Sequence, residues 1–293
     1  MAPGAVLTPD IQNVLPPEVT VSNQLTRPCD VLLLYASDMV FSFDHDRFKV
    51  FDRIEAGRKV MALTYKIGKA GEIPWSKGWD KYLFLSTSLK NAFVRKTLTT
   101  DFHPQTAVLA PPVDLEPFLQ VEPKYDGELR IVRHSSQGDV KFPADLPDIM
   151  DKCKARFCFM PGPSWLDMKV NVSKIPYLTD PKSVAAFLAK GNVFWYLLPP
   201  RYTDQGPRVI VEAMAAGLPV ICENRDGPAD RLTTETGWKL DSHASAKGCL
   251  TAEAIELINS LTPEVIAKKG KAARERAKSE FIREKWFDEI KGK

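Results

Sequence analysis

Short apolar runs that alternate with helical patterns constrain the fold of this chain more than any other feature. The first, Asp30–Tyr35, is a continuous apolar run, as is typical of a strand buried on both faces. Strands that alternate with helices predict parallel, doubly wound sheets, so we predict an α/β fold. The predicted strands are Asp30–Tyr35, Lys59–Tyr65, Tyr82–Ser86, Ala107–Ala110, Glu128–Val132, Ala155–Met160, Val172–Leu178, Val193–Leu198 and Pro219–Cys222.

Prolines and changes in composition divide the chain into five predicted segments. At 293 residues it is long enough for two packed domains. A proline-containing lead-in without periodicity predicts an extended arm, and a Pro- and acid-rich stretch predicts a linker. The segments are an arm over 1–28, a small Rossmann-like domain over 29–115, a linker over 116–127, a second Rossmann-like domain over 128–262, and an amphipathic C-terminal helix over 263–293.

Composition limits the environment of the protein. The five cysteines are odd in number and scattered among apolar neighbours, which predicts buried free thiols in a reducing cytosol. The sequence contains no run of 18 apolar residues, so we predict no transmembrane helix. Met1–Asn23 does not have the pattern of a secretory signal. We predict a cytoplasmic protein with no integral membrane segment. Peripheral membrane association and homo-oligomerisation stay open.

The segment from Asp204 to Ile221 gathers the groups that a sugar nucleotide needs. It places two carboxylates, Asp204 and Glu212, eight positions apart, with a Gly-Pro turn between them and a helix of small residues that ends at Gly217. At the carboxyl end of the predicted strand Val193–Leu198, these groups would face the ligand crevice of a doubly wound sheet. Carboxylates accept hydrogen bonds from sugar hydroxyls, and helix N-terminal amides bind a diphosphate. The segment therefore predicts a sugar-nucleotide site.

Several motifs along residues 107–290 together resemble one enzyme family. Ala213-Met-Ala-Ala-Gly-Leu-Pro-Val220 follows the paired carboxylates, and Gly227-Pro-Ala-Asp230 follows in turn. Pro112-Val-Asp114 is similar to a domain junction, and Arg133 to Lys141 to the basic segment that opens a second domain. This combination resembles the retaining GT-B glycosyltransferases (family 4-like), which have two Rossmann-like domains facing across a cleft. Here the first domain is shortened.

The resemblance implies a role for each matched residue. Glu212 would accept hydrogen bonds from the nucleotide ribose, and Asp204 would hold hydroxyls of the transferred sugar. Arg133 and Lys141 would neutralise the diphosphate, with amides near Gly206, Pro207 and Arg208 stabilising the leaving group. The resemblance thus implies a retaining, metal-independent hexosyltransferase with no cofactor and a UDP-sugar as the expected donor; Asp204, Glu212 and Arg133 are its catalytic candidates. As the alternative interpretation, Arg133 and Lys141 are plain surface charges, and we expect His134 to be structural or solvent-facing.

The predicted first domain carries the acceptor-side candidates. Residues 57–100 contain nine basic residues against two acidic ones, a net charge of +7 over 44 residues, with aromatic side chains interleaved. Such a surface suits an anionic acceptor, and a solvated basic face is the alternative. The acceptor-side candidates are His45, Lys66 and Lys69; a hydrogen bond to its acidic neighbours is the alternative for His45.

The acceptor and the class of function stay open within this framework. A glycan or glycolipid at a membrane surface would use the charges for anionic headgroups. A hydroxylated base in DNA would use them for phosphates, as in a phage-type DNA glucosyltransferase. A UDP-sugar epimerase and a non-catalytic GT-B subunit are the two further alternatives.

Overall fold

A computed structural model describes residues 29–36, 55–63, 79–97, 105–135, 139–166, 171–241 and 249–292. The protein is an α/β protein in which every strand pair of the described residues is parallel. It divides into two compact units. The predicted arm over 1–28 lies outside the described residues. The first unit comprises Met1–Asp114 together with Phe281–Lys293, and the second comprises Leu115–Glu280.

The first unit contains a four-stranded sheet. Its strands are β1 (Cys29–Ala36), β2 (Ala56–Leu63), β3 (Lys81–Phe84) and β4 (Gln105–Val108), in the order β1-β2-β3-β4. Helix α1 (Thr87–Thr97) connects β3 to β4. All four strands overlap the predicted ones; among the described residues β2 and β3 are the most deeply buried, whereas the edge strand β4 has no fully buried residue.

Both faces of this sheet are covered, and the side-chain alternation of β2 shows how. Met61 and Leu63 pack in a cluster with Phe84, Leu89 and other residues of β3 and α1. Val60 and Ala62 point to the opposite face, where they pack against a second cluster. That cluster contains Trp286, Phe287 and Ile290 of the last helix, α9 (Arg283–Lys291).

The second unit contains a six-stranded sheet. Its strands are β5 (Arg130–His134), β6 (Arg156–Met160), β7 (Val172–Lys174), β8 (Val193–Tyr196), β9 (Val220–Glu223) and β10 (Gly237–Leu240). Their order is β10-β9-β8-β5-β6-β7. The chain builds outward from β5 to β7 and then returns to the other side of β5, so the order reverses between β5 and β8.

Helices complete the second unit. They are α2 (Glu116–Leu119), α3 (Leu146–Lys152), α4 (Pro181–Leu188), α5 (Arg208–Ala215), α6 (Asp226–Arg231), α7 (Cys249–Ser260) and α8 (Pro263–Glu280). Two features end α5. Gly217 adopts a left-handed backbone conformation with a φ of 80°. Arg274 of α8 donates a hydrogen bond to Ala216 O at 3.0 Å. None of the helices in the described part of the chain is long and apolar enough to cross a bilayer.

The structure corrects the prediction of one C-terminal helix. The helix ends at Glu280, and Ile282 is extended before the last helix begins at Arg283. The two halves belong to different units, because Ile266 packs in the core of the second unit while Trp286 packs on the first sheet. The predicted linker also contains the short helix Glu116–Leu119, with Phe118 buried.

Short elements of mixed polarity escaped prediction. The pattern did not predict strand β10, helix α3 or helix α6. For β10 the reason is that Gly237–Leu240 becomes a strand by pairing with β9 rather than by its own alternation. The thiol prediction is confirmed for two cysteines: Cys153 and Cys222 are buried and free. Cys29 and Cys158 are free and half-buried.

Candidate functional site

The candidate site lies at the carboxyl ends of β5 and β8. These strands are neighbours in the second sheet, and the strand order reverses between them. Ligands of open α/β sheets bind at such a switch point, because the loops that follow the two strands diverge and leave a crevice. Arg133 and His134 end β5, and the loop after β8 carries Asp204 to the start of α5.

The carboxylate of Asp204 is the centre of a hydrogen-bonded cluster. Its Oδ2 atom accepts a hydrogen bond from the Tyr196 hydroxyl at 2.6 Å and lies 3.2 Å from Lys141 Nζ. Its Oδ1 atom accepts from the backbone N–H of Gly206 at 3.2 Å. Burial, the main cause, raises the pKa of Tyr196 well above its ordinary value, so this hydroxyl stays a donor. Lys141 is therefore held against the loop that precedes α5.

Lys141 also has an aromatic neighbour and a short turn beneath it. Its ammonium lies 5.4 Å from the centre of the Tyr202 ring. The residue closes a 3-10 turn over Asp139–Lys141. At the other end of this turn, the carboxylate of Asp139 accepts hydrogen bonds from Ser164 N and Ser164 Oγ, both at 2.5 Å. These bonds with Ser164 lower the pKa of Asp139. The turn is thus anchored to the loop after β6.

Two of the motif segments recognised in the sequence pack backbone to backbone. The N–H of Gly227 donates to Asp204 O at 3.1 Å. A Cβ atom at residue 227 would lie 2.2 Å from Gln205 O and 2.7 Å from Asp204 O. Only glycine fits this approach, which explains why the Gly-Pro-Ala-Asp element accompanies the paired carboxylates. The preceding residue, Asp226, has a φ of 51°, in the left-handed region that non-glycine residues rarely adopt.

Arg133 lies beneath the site. It is fully buried, and its guanidinium donates to Leu197 O and to Lys141 O, each at 2.6 Å. Its Cζ atom is 4.1 Å from the centre of the Phe142 ring and 5.1 Å from that of Tyr196. Burial lowers the pKa of Arg133 to about 10, so the side chain remains charged at neutral pH. The interpretation of Arg133 as a plain surface charge is wrong.

Glu212 pairs with a residue that the sequence did not mark as part of the site. Its Oε2 atom lies 2.9 Å from Nε2 of His134, and only 15% of the glutamate side chain is exposed. The two atoms are close, but their geometry is not that of an aligned hydrogen bond. His134 is 5% exposed and packs edge-on against Phe194 at 5.9 Å. We expected His134 to be structural or solvent-facing; its burial shows that the solvent-facing interpretation is wrong.

A second network fixes the loop between β8 and α5. Glu223, at the end of β9, accepts from the N–H of Leu198 at 2.8 Å and pairs with Arg225. Arg225 in turn donates to Pro199 O and Tyr202 O, both at 2.8 Å. Burial is the largest effect on Glu223 and raises its pKa, while its contacts with Arg225 oppose that shift. The loop that delivers Asp204 is therefore held from below by buried charges.

The structure brings the predicted donor-side residues together. Arg133, Lys141, Asp204 and Glu212 surround the carboxyl ends of β5 and β8, and Gly206, Pro207 and Arg208 form the entry to α5. The acceptor-side candidates His45, Lys66 and Lys69 lie outside the described residues. The sequence did not assign Tyr196 or His134 to the site; each is the last residue of an observed strand, where side chains reach the crevice. Among the described residues, no group of three or more candidate ligands could hold a metal ion.

The sequence matches no family model, and no curated protein is similar to it in sequence. Solved structures, in contrast, share its fold. Anabaena HepE in complex with UDP-glucose superposes with a TM-score of 0.62 at 14% identity, over 88% of this chain and 77% of that one. Sucrose-phosphate synthase from Thermosynechococcus elongatus gives a TM-score of 0.59 at 17% identity, over 84% and 68%.

A third structure extends the similarity to a larger protein. The pneumococcal O-GlcNAc transferase GtfA, in complex with UDP and GlcNAc, superposes with a TM-score of 0.55 at 12% identity. The match covers 81% of this chain and 52% of GtfA. Identities this low establish the fold alone. The chain has the GT-B fold of these glycosyltransferase structures.

Proposed function

We propose that the protein is a glycosyltransferase that moves a sugar from a nucleoside diphosphate sugar to an acceptor hydroxyl. The observation that carries the proposal is the position of Lys141. Its ammonium is fixed 3.2 Å from Asp204 Oδ2, in the loop that leads from β8 to α5, at the switch point between β5 and β8. A cation and helix N-terminal amides at one point favour a doubly charged phosphate group.

The proposed chemistry needs positive charge where the leaving group forms. As the bond between the sugar C1 and the diphosphate oxygen breaks, negative charge grows on the diphosphate. Lys141 and the backbone amides at the start of α5, after Pro207, would stabilise this charge, which lowers the barrier directly. Because Lys141 is held before any ligand binds, little reorganisation is needed during the reaction.

Glu212 is the proposed ligand of the nucleotide ribose. Its Oε2 atom faces His134, which leaves the other carboxylate oxygen for ribose hydroxyls. A carboxylate that accepts from two neighbouring hydroxyls fixes the orientation of the nucleotide and thereby the position of the sugar. This role matches the one that the family resemblance implies for Glu212.

The donor we propose is a UDP-sugar. HepE and GtfA were solved with UDP or a UDP-sugar, and this chain shares their fold. The test is to incubate the protein with UDP-, GDP- and ADP-sugars and to measure release of the nucleoside diphosphate. Turnover or saturable binding with one of these donors is expected. If none of them binds and none is consumed, the proposed function is wrong.

A matched pair of variants locates the activity. Glu212→Gln keeps the shape of the side chain but removes its charge, and we expect about a hundredfold loss of kcat/KM, or ~2.7 kcal/mol. Glu256→Gln changes an exposed carboxylate on α7 and should leave kcat/KM within twofold of the wild-type value. Equal effects of the two changes would remove Glu212 from the site.

We also propose that the transfer retains the anomeric configuration and needs no metal ion. In this reaction the new bond from C1 to the acceptor oxygen forms on the face that the diphosphate leaves. The acceptor proton passes to an oxygen of the departing phosphate, so no protein base is required. Proton NMR of the first product gives its anomeric configuration, and an inverted product would contradict retention. Activity that survives EDTA supports the metal-independent reaction.

We infer that the acceptor is anionic, from the +7 charge of residues 57–100. Within the described part of this stretch, Arg58 Nε donates to Ile290 O at 2.9 Å, and Lys81 pairs with Glu289. Lys66 and Lys69, the acceptor-side candidates, lie outside the described residues. Transfer to an anionic glycolipid is expected to exceed transfer to its neutral analogue. Transfer to DNA that carries a hydroxylated base would instead identify a DNA-modifying enzyme.

A further inference from the structure

The side chain of Arg133 is enclosed by protein, and its two terminal nitrogens already have backbone partners. Both donate to backbone carbonyls at 2.6 Å, and the rings of Phe142 and Tyr196 lie within 4.1 and 5.1 Å of its Cζ atom. Nothing of the residue is exposed to solvent, and its Nε is buried without a hydrogen-bond partner among the described residues. A phosphate could take either terminal nitrogen only by displacing a carbonyl.

The two carbonyls that Arg133 holds belong to the two loops of the site. Leu197 follows β8 directly, and Lys141 closes the turn after β5. One rigid, planar fork therefore joins the loop that leads to Asp204 with the turn that carries the proposed diphosphate cation. The sequence separations are 64 and 8 residues, so this link exists only in the folded protein.

Lys141 is fixed at its backbone and at its side chain by different partners. Arg133 holds its carbonyl from below, and Asp204 lies 3.2 Å from its ammonium above. The turn would otherwise be anchored through Asp139 and Ser164 at its far end. Loss of the Arg133 contact therefore removes the hydrogen bond that fixes the backbone of Lys141, although Phe142 beside it stays packed in the core.

We propose that Arg133 is a positioning residue, which sets Lys141 for the diphosphate without binding the diphosphate itself. This inference rests on the proposed function, since it concerns the residue that neutralises the diphosphate of the sugar donor. It revises the role that the family resemblance implies, in which Arg133 and Lys141 both touch the phosphates. The distinction is testable, because a residue that acts through Lys141 has nothing to act on once the ammonium is removed.

A double-mutant cycle with UDP as the probe separates the two roles. Arg133→Lys keeps the positive charge but loses the fork that reaches both carbonyls. The Kd for UDP, measured by calorimetry well below the unfolding transition, is expected to rise about tenfold to a hundredfold for Lys141→Gln. Arg133→Lys should raise it about fivefold to tenfold in the wild-type background. Added to Lys141→Gln, it should change the Kd by less than twofold.

The control lies on the same strand. Arg130 is at the amino end of β5, where it pairs with Asp126 and Glu128. Arg130→Lys should leave the Kd for UDP within twofold of the wild-type value, so a loss confined to Arg133→Lys is not a general effect of weakening β5. Merely structural damage from Arg133→Lys would persist in the Lys141→Gln background.

Three results decide the matter. Equal losses from Arg133→Lys in both backgrounds, or no loss in either, overturn the positioning role while UDP binding still supports the proposed function. Absence of binding by the wild-type protein to UDP, GDP and ADP overturns both. If Arg133→Lys does not fold, a crystal structure of the wild-type protein with UDP gives the answer. The positioning role requires Lys141 Nζ on a phosphate oxygen and Arg133 still on the two carbonyls, whereas a bond from Arg133 to phosphate overturns it.

Discussion

His134 and Glu212 meet at 2.9 Å across the carboxyl end of β5, between the imidazole Nε2 and the carboxylate Oε2. The histidine ends the strand, and the glutamate stands in the second turn of α5. Their side chains are 6% and 15% exposed, so water screens the contact little. This contact orients the carboxylate that we assign to the nucleotide ribose.

Replacement of the imidazole nitrogens should therefore weaken nucleotide binding. His134→Phe keeps a ring against Phe194 but removes the contact with Glu212. We expect the Kd for UDP to rise about tenfold, or ~1.4 kcal/mol, because the carboxylate loses its fixed orientation. Calorimetric titration measures the change. A Kd within twofold of the wild-type value would show that His134 only fills space.

Tyr196 should stabilise the fold through Asp204. Its hydroxyl donates to Asp204 Oδ2 at 2.6 Å, and the ring is buried. Tyr196→Phe is expected to lower the free energy of unfolding by about 1 kcal/mol, the net value of one buried hydrogen bond. Urea denaturation measures the loss. The same substitution in an Asp204→Asn background should cost less, and an unchanged cost would mean that the hydroxyl stabilises the protein through another partner.

Gly227 should not tolerate a side chain. An added Cβ would lie 2.2 Å from Gln205 O and 2.4 Å from Gln205 C, and both are backbone atoms that cannot turn away. Gly227→Ala is expected to destabilise the protein by about 2 to 3 kcal/mol and to weaken UDP binding, since the displaced segment carries Asp204. Thermal unfolding with and without UDP measures both effects.

The matched control for this prediction is Gly162. The nearest atoms to a Cβ there are side-chain atoms of Lys174, at 2.4 Å, and the ammonium of this lysine donates to Pro163 O and Leu166 O. Gly162→Ala should cost less than Gly227→Ala, because a side chain can rearrange at the expense of these two hydrogen bonds, whereas the backbone atoms next to Gly227 cannot. If the two variants are equally stable, the backbone contact between residues 204–205 and Gly227 is looser than the structure shows.

The buried thiols should resist alkylation in the native protein. Burial raises the pKa of Cys153 to about 11 and raises that of Cys222 further. The reactive thiolate is therefore scarce at pH 8, and Cys153 gains reactivity only as the pH approaches 11. Iodoacetamide labelling mapped by mass spectrometry should modify Cys29 and Cys158 first, since both are half-buried. Rapid native labelling of Cys222 would contradict its burial.

Much of the fold could be predicted from local patterns. An apolar run such as Val193–Leu198 contains the information for a buried strand within its own residues, and the observed β8 lies inside it. Glycine positions carried further information, because Gly227 allows a backbone approach that any side chain would block. The break before Arg283 could not be predicted, since the helical pattern continues and only the packing of Trp286 in the other unit separates the two helices.

The sequence by itself determined the alternation of strands and helices and the residue types available for a donor site. Tertiary structure alone decided which of these residues meet. It placed β8 beside β5, and this brought Tyr196 and Asp204 to Lys141, and Glu212 to His134. It also buried Arg133, which the sequence had predicted to line the site. The reason is physical: a local pattern encodes burial and backbone shape, whereas contacts across more than 60 residues depend on strand order and packing.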